Sequence, residues 1–240
     1  EGVSVDELSI RINRFRETLY QAREKRVHPL RDQKILTAWN GMMITSFAQA
    51  GVLLDEPRYT KAATDAAQFI WQHNRKGLGE LTRVHLEGSS SINAQQEDYA
   101  YFAESLIHLY DATNEQHWLD KAIEITDSML AIFQDKAVGD FFMSPAKNQL
   151  TSMARQKDGG ADAAIPSGNS VALRVLQMLD RRKANFEYSQ HANSILAAFA
   201  NTINRRPTSF GYMLMAANNY RHGELRHQQY IARGGVRAKA

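Results

Sequence analysis

Three short polar motifs each open an apolar stretch of the chain: Trp39-Asn40-Gly41, Asp98-Tyr99-Ala100 and Pro166-Ser167-Gly168-Asn169-Ser170. Their residue types suit a hydroxyl-rich or anionic ligand. Asp98 and Asp162, which comes just before the third motif, are the candidate catalytic pair, because glycosidic cleavage needs two carboxylates facing each other across the bond. An indole such as Trp39 stacks on the C–H face of a sugar, and the Asn40 amide both donates and accepts. In the third motif Ser167 or Asn169 can cap a helix, while Gly168 lets a ligand come close to the backbone. Trp39, Asn40, Tyr99, Ser167, Gly168 and Asn169 are therefore candidate binding residues. Each motif also has a structural explanation. The helix dipole alone favours Asp98 in a first turn, Trp39 can be core with Asn40 bonded to backbone, and the third motif can be a capped helix start.

The remaining candidates come from loops. His85 and Arg155 fall in two long connections, Asn74–Asn93 and Gln134–Pro166, and join the binding set. His108 sits on an apolar stretch and reads as a satisfied buried residue. The 8 histidines lack the spacing of a metal site, so no metal and no cofactor are expected. No Gly-rich phosphate loop or nucleophile elbow occurs.

These motifs have to be held by helices. Apolar residues recur at three- and four-residue steps through eight segments, near 5–26, 36–54, 57–73, 96–112, 116–133, 168–181, 186–203 and 210–220. A repeat marks three of them. Tyr59, Trp118 and Tyr188 are each followed at the fourth residue by Ala63, Ala122 and Ala192, and seven residues later by Ile70, Met129 and Phe199. An aromatic, a small and a large apolar residue at these steps share one helical face. The helices between them are apolar on most sides, as buried helices are. An inner and an outer layer of helix hairpins make an all-α (α/α) toroid. Alternate helices then run parallel, so the three motifs meet at one mouth, with long loops and small β-hairpins (at Leu81–His85 and Phe141–Met143) around it.

Composition narrows the function classes. The chain has 240 residues, 43% hydrophobic and 23% charged, enough for one domain with a full core, expected over 1–220 with a basic tail over 221–240. The net charge of +3 is too small to argue for nucleic acid, and no apolar run approaches the roughly 20 residues of a membrane span. The absence of cysteine excludes disulfides and thiolate chemistry within the chain and fits a reducing, cytoplasmic setting. The start has no initiator Met and no apolar signal segment, so a fragment or processed form is expected.

His28-Pro29-Leu30-Arg31-Asp32-Gln33-Lys34-Ile35-Leu36-Thr37-Ala38-Trp39-Asn40-Gly41, Glu97-Asp98-Tyr99-Ala100 and Asp162-Ala163-Ala164-Ile165-Pro166-Ser167-Gly168-Asn169-Ser170 resemble, in order, hallmarks of the spermatogenesis-associated, thioredoxin-domain-containing family. The resemblance covers about Leu8 to Ala217. It implies a thioredoxin-like domain followed by a six-hairpin toroid similar to N-acylglucosamine 2-epimerases and six-hairpin glycosidases. Eight helices fall short of the twelve in a closed six-hairpin ring, so the resemblance implies an incomplete ring here. Two functions compete. One is a carbohydrate-binding or carbohydrate-processing toroid, glycosidase-like or epimerase-like, whose ligand is a small sugar or sugar acid. The other is a non-catalytic interaction module that serves a thioredoxin-like domain or a second chain.

Overall fold

The computed structural model describes residues 2–146, 155–183 and 186–222. Among them lie α1 (Val5–Glu24), α2 (Thr37–Leu53), α3 (Pro57–His73), α4 (Gln96–Thr113), α5 (Gln116–Phe133), α6 (Gly168–Lys183), α7 (Phe186–Arg205) and α8 (Gly211–His222). Each helix lies where the periodicity puts it. Three short strands accompany them: β1 (Ile35–Leu36), β2 (Thr82–Leu86) and β3 (Ser89–Asn93). Of the basic tail expected over 221–240, residues 221–222 continue α8 and residues 223–240 lie outside the described residues.

The chain divides into two units, 1–33 and 34–240. The first is built on α1, which opens with Ser4 accepting the Glu7 N–H at 3.2 Å and with Asp6 and Glu7 in its first turn. Leu8, Ile12, Phe15 and Leu19 form its apolar seam.

The second unit holds the hairpins. α2 packs on α3, α4 on α5 and α6 on α7, while α2, α4, α6 and α8 pack in succession on one another. This gives an inner layer of α2, α4, α6 and α8 and an outer layer of α3, α5 and α7, an arc of an (α/α) toroid. The repeated residues explain the layering. Ala63, Ile70, Trp118, Ala122, Met129, Tyr188, Ala192 and Phe199 are all buried, and they form the inward face of the outer helices. α4 and α6 are the most enclosed, and Phe102, Leu106, Ile107, Leu109, Leu173 and Leu176 have no exposed surface. Such helices, apolar around most of their circumference, can only be satisfied between neighbours.

Pro57 stands at the start of α3, where its fixed φ and missing N–H cost nothing. Asn114 ends α4 in the left-handed region, at φ 58°. The two connections from inner to outer helix on either side, 54–56 and 114–115, are short. The long outer-to-inner connections collect at the other end. The first forms a hairpin of β2 and β3, with His85 opposite Ser90 and with β1 paired to the far side of β2. Its two-residue turn, Glu87-Gly88, has positive φ at both positions, as a tight twisted hairpin requires. The second was expected to form a hairpin at Phe141–Met143. Among its described residues it carries only isolated bridges, Gln134 to Phe141 and Phe142 to Lys157. Lys157 closes that loop instead, with its ammonium between Asp135 (2.7 Å) and Asp140 (2.6 Å).

Candidate functional site

The inner helices begin at one mouth, and two aspartates tie their ends together. Asp98, in the first turn of α4, accepts the Ala38 N–H of α2 at 3.0 Å through Oδ1. Its Oδ2 accepts the Gln95 N–H and an Arg83 N–H, each at 2.9 Å. Asp162 repeats the arrangement one hairpin on. Its Oδ1 takes the Ser167 N–H at 3.0 Å and the Ser170 hydroxyl at 3.1 Å, and its Oδ2 takes the Tyr212 N–H of α8 at 2.7 Å. Gln96 bridges the two halves by donating to the Gly168 carbonyl at 3.0 Å. Helix N-termini attract anions because their first N–H groups lack partners and the dipole is positive there. Here the chain's own carboxylates take one N–H at each helix start: Ala38, Gln95, Ser167 and Tyr212.

The glycines of the motifs follow from this crowding. A Cβ on Gly41 would lie 2.7 Å from the Tyr101 carbonyl carbon, and one on Gly168 would overlap the Gln96 side chain. Both glycines let neighbouring inner helices approach closely.

The other candidate residues lie as follows. Trp39 has 59% of its surface exposed. Asn40 donates to the Leu36 carbonyl at 2.9 Å. The Tyr99 hydroxyl is buried and accepts the Leu81 N–H at 2.9 Å. His85 is buried against the edge of Phe69 and bonds the Ser90 hydroxyl at 2.8 Å. Arg155 stacks on Phe142 and donates to the carbonyls of Ser144 and Ile132. Ser167 accepts the Ser170 N–H at 3.1 Å. Asn169 accepts the Phe141 N–H at 2.9 Å and donates to Asp158 at 2.6 Å, fastening the second loop to α6. A cavity of about 310 Å³, lined by Lys76, Glu80, Asn93, Tyr99, Ile132 and Pro145, opens between the hairpin and α5. It lies on the outer-layer side of α4.

A second set of polar residues crosses the inner layer. The Tyr212 hydroxyl donates to Glu104 Oε1 at 2.6 Å, and Arg174 Nε lies 3.0 Å from the same oxygen. Arg174 Nη2 reaches His108 Nε2 at 3.4 Å, and the Gln49 amide approaches that nitrogen to 3.1 Å. Tyr212 of α8 thus reaches Glu104 of α4 past the intervening α6. Outer helices cover one side of the inner layer, so this contact and those joined to it lie on the concave side. His108, expected to be a satisfied buried residue, is buried and bonded in this chain of contacts. Glu104, Arg174, Tyr212 and Gln49 were missed by the sequence reading. The one signal for them was Glu104 and His108, polar at i and i+4 in the middle of an apolar helix.

The electrostatics follow burial and neighbours. Burial pushes Asp98 up to about 6 against the pull of Arg83 and of the Gln95 and Ala38 N–H groups. Arg83 is held above its ordinary value because Asp98 and Glu97, at 2.9 and 2.7 Å, outweigh its own desolvation. Burial raises Tyr101, and the carboxylates of Glu104, Glu97 and Asp162 raise it further. Tyr212 is raised by burial and by Glu104, with Arg174 opposing. Among the described residues no group of three or more His, Asp or Glu side chains is arranged to hold a metal ion, and no helix is long and apolar enough to cross a membrane.

No protein-family model matches the chain. Over 224 residues it is 31% identical to spermatogenesis-associated protein 20 of Homo sapiens, covering 90% of this chain and 28% of that protein. The Mus musculus protein of the same name is 31% identical over 222 residues, with 89% and 28% covered. The chain therefore spans 28% of the length of these relatives. Among solved structures, cellobiose 2-epimerase from Bacillus thermoamylovorans is similar with a TM-score of 0.64 at 13% identity, over 86% of this chain and 61% of that one. A family 76 glycoside hydrolase (mannosidase) from Bacteroides thetaiotaomicron is similar with a TM-score of 0.56 at 18% identity, over 72% and 45%. These likenesses establish the (α/α) toroid fold.

Proposed function

We propose that this chain, a homologue of part of spermatogenesis-associated protein 20, is an arc of a carbohydrate-processing (α/α) toroid that meets its sugar on the concave side of the inner helices. The observation that carries the reading is the network of Gln49, His108, Arg174, Glu104 and Tyr212, to which all four inner helices contribute. Polar groups converging on one concave wall are what a hydroxyl-rich ligand needs for orientation. Trp39, exposed at the start of α2, supplies a stacking face. The similarity to a mannosidase and a cellobiose 2-epimerase agrees with a sugar ligand.

On this reading the work divides. Asp98 and Asp162 are positioning residues that hold the helix ends, since both oxygens of each accept hydrogen bonds from the chain. His108 and Glu104 are the groups suited to proton transfer. The ring is completed by a further stretch of the same protein or by a second chain, and a thioredoxin-like domain belongs to this proposal as a partner. A second reading, an interaction module, is favoured by the exposed apolar residues Trp39, Met43 and Leu53 on α2.

Calorimetric titration of neutral monosaccharides and disaccharides into the chain tests the proposal. Saturable binding that weakens at least tenfold in Trp39→Ala supports the sugar site. No binding by any sugar, with α2 instead protected by a protein partner, supports the interaction module.

A further inference from the structure

The mouth of a toroid, ringed by helix N-termini, would ordinarily welcome a phosphate or carboxylate. In this chain an N–H at each of these helix starts is already engaged. Ala38 N and Gln95 N donate to Asp98, Ser167 N and Tyr212 N donate to Asp162, and Ser170 N donates to the Ser167 hydroxyl. The cations of the site are engaged as well. Arg83 is held between Glu97 and Asp98, and Arg174 pairs with Glu104. Together these residues comprise four carboxylates, Glu97, Asp98, Glu104 and Asp162, against two guanidinium groups, Arg83 and Arg174.

Tyr101 reports the resulting field. Its hydroxyl donates to the Pro166 carbonyl at 2.6 Å, bridging α4 to the segment ahead of α6. Burial disfavours a negative charge there, and Glu104, Glu97 and Asp162 act in the same direction. A ligand anion brought up to this junction would face the same three carboxylates. Thr45 Oγ1 and Gln177 Nε2 are buried and have no hydrogen-bond partner among the described residues. Thr45 is one turn before Gln49 on α2, and Gln177 is one turn beyond Arg174 on α6.

We infer that the concave site selects uncharged sugars and rejects their anionic counterparts, uronates and sugar phosphates. The inference rests on the sugar reading above and names the ligand class of that same site. Like-charge juxtaposition is a common means of rejecting a wrong ligand, and a penalty of this origin weakens with salt.

Matched pairs test it: glucose against glucuronate and mannose against mannose 6-phosphate, titrated at low and at high salt with the chain and with Glu97→Gln. The expected result is neutral binding at least tenfold tighter than anionic binding. The gap should narrow at high salt and in Glu97→Gln, where Arg83 loses one of its carboxylate partners. Equal or tighter binding of the anionic partner, with the neutral sugar still bound, overturns the selectivity and leaves the sugar site standing. Failure of every sugar to bind overturns the sugar reading itself and this inference with it.

Discussion

Asp98 Oδ1 accepts the backbone N–H of Ala38 at 3.0 Å, tying together the first turns of two inner helices that meet across 60 residues of chain. The carboxylate is fully buried and serves α2, α4 and the hairpin residue Arg83 at once. Its Asp162 counterpart does the same for α6 and α8.

Removing the carboxylate orphans buried donors on three elements. Asp98→Ala is expected to destabilise the fold by about 2–4 kcal/mol, since unmade buried hydrogen bonds and a weakened charge pair both contribute. Chemical denaturation checks this, with a lowered midpoint as the expected result.

The same group gives the fold a pH signature. Burial holds Asp98 at about 6, above its ordinary 3.8, so between those values the folded chain binds more protons than the unfolded one. Its contribution is therefore fully present below about 4 and lost as the pH rises through about 6, an effect on the order of 3 kcal/mol. Subtracting the stability of Asp98→Asn from that of the parent chain across this range cancels the other carboxylates. The difference should favour the parent more at pH 4 than at pH 7, and a constant difference contradicts the assignment.

Gly41→Ala inverts the usual helix expectation. Alanine in a helix interior gains about 1 kcal/mol over glycine. Here the added Cβ would meet the Tyr101 backbone at 2.7 Å. Separating α2 from α4 is expected to cost about 1–3 kcal/mol. A lowered melting temperature is the expected observation.

Trp39 behaves in the opposite way. At 59% exposure its indole contributes little to the core, so Trp39→Ala should leave stability within about 0.5 kcal/mol. Thermal unfolding of the variant checks this. A large loss would make Trp39 a packing residue.

The helices were legible because each repeats its apolar residues along one face. The aromatic–small–large pattern separated the outer layer because it recurs at the same place in three hairpins. The meeting of the motifs at one mouth followed from that layering. What the motifs do there was harder to read. The partners of Asp98 and Asp162 are largely backbone N–H groups, which every residue but proline carries, so no sequence pattern marks them. The concave network was hidden for a related reason. Tyr212 and Glu104 meet across 108 residues, and their contact depends on how far α8 curls past α6. Likewise, the hairpin expected at Phe141 gave way to ion pairs with Lys157, a residue distant in sequence.

The central claim is that sugar binds the concave wall, and an amide and indole chemical-shift map measured during titration with a neutral sugar tests it most directly. The account predicts that shifts concentrate on the Trp39 indole N–H and on the amides around Gln49, His108, Arg174 and Tyr212. Shifts confined to Lys76, Glu80 and Tyr99, around the outer cavity, or no shifts at all, would contradict it.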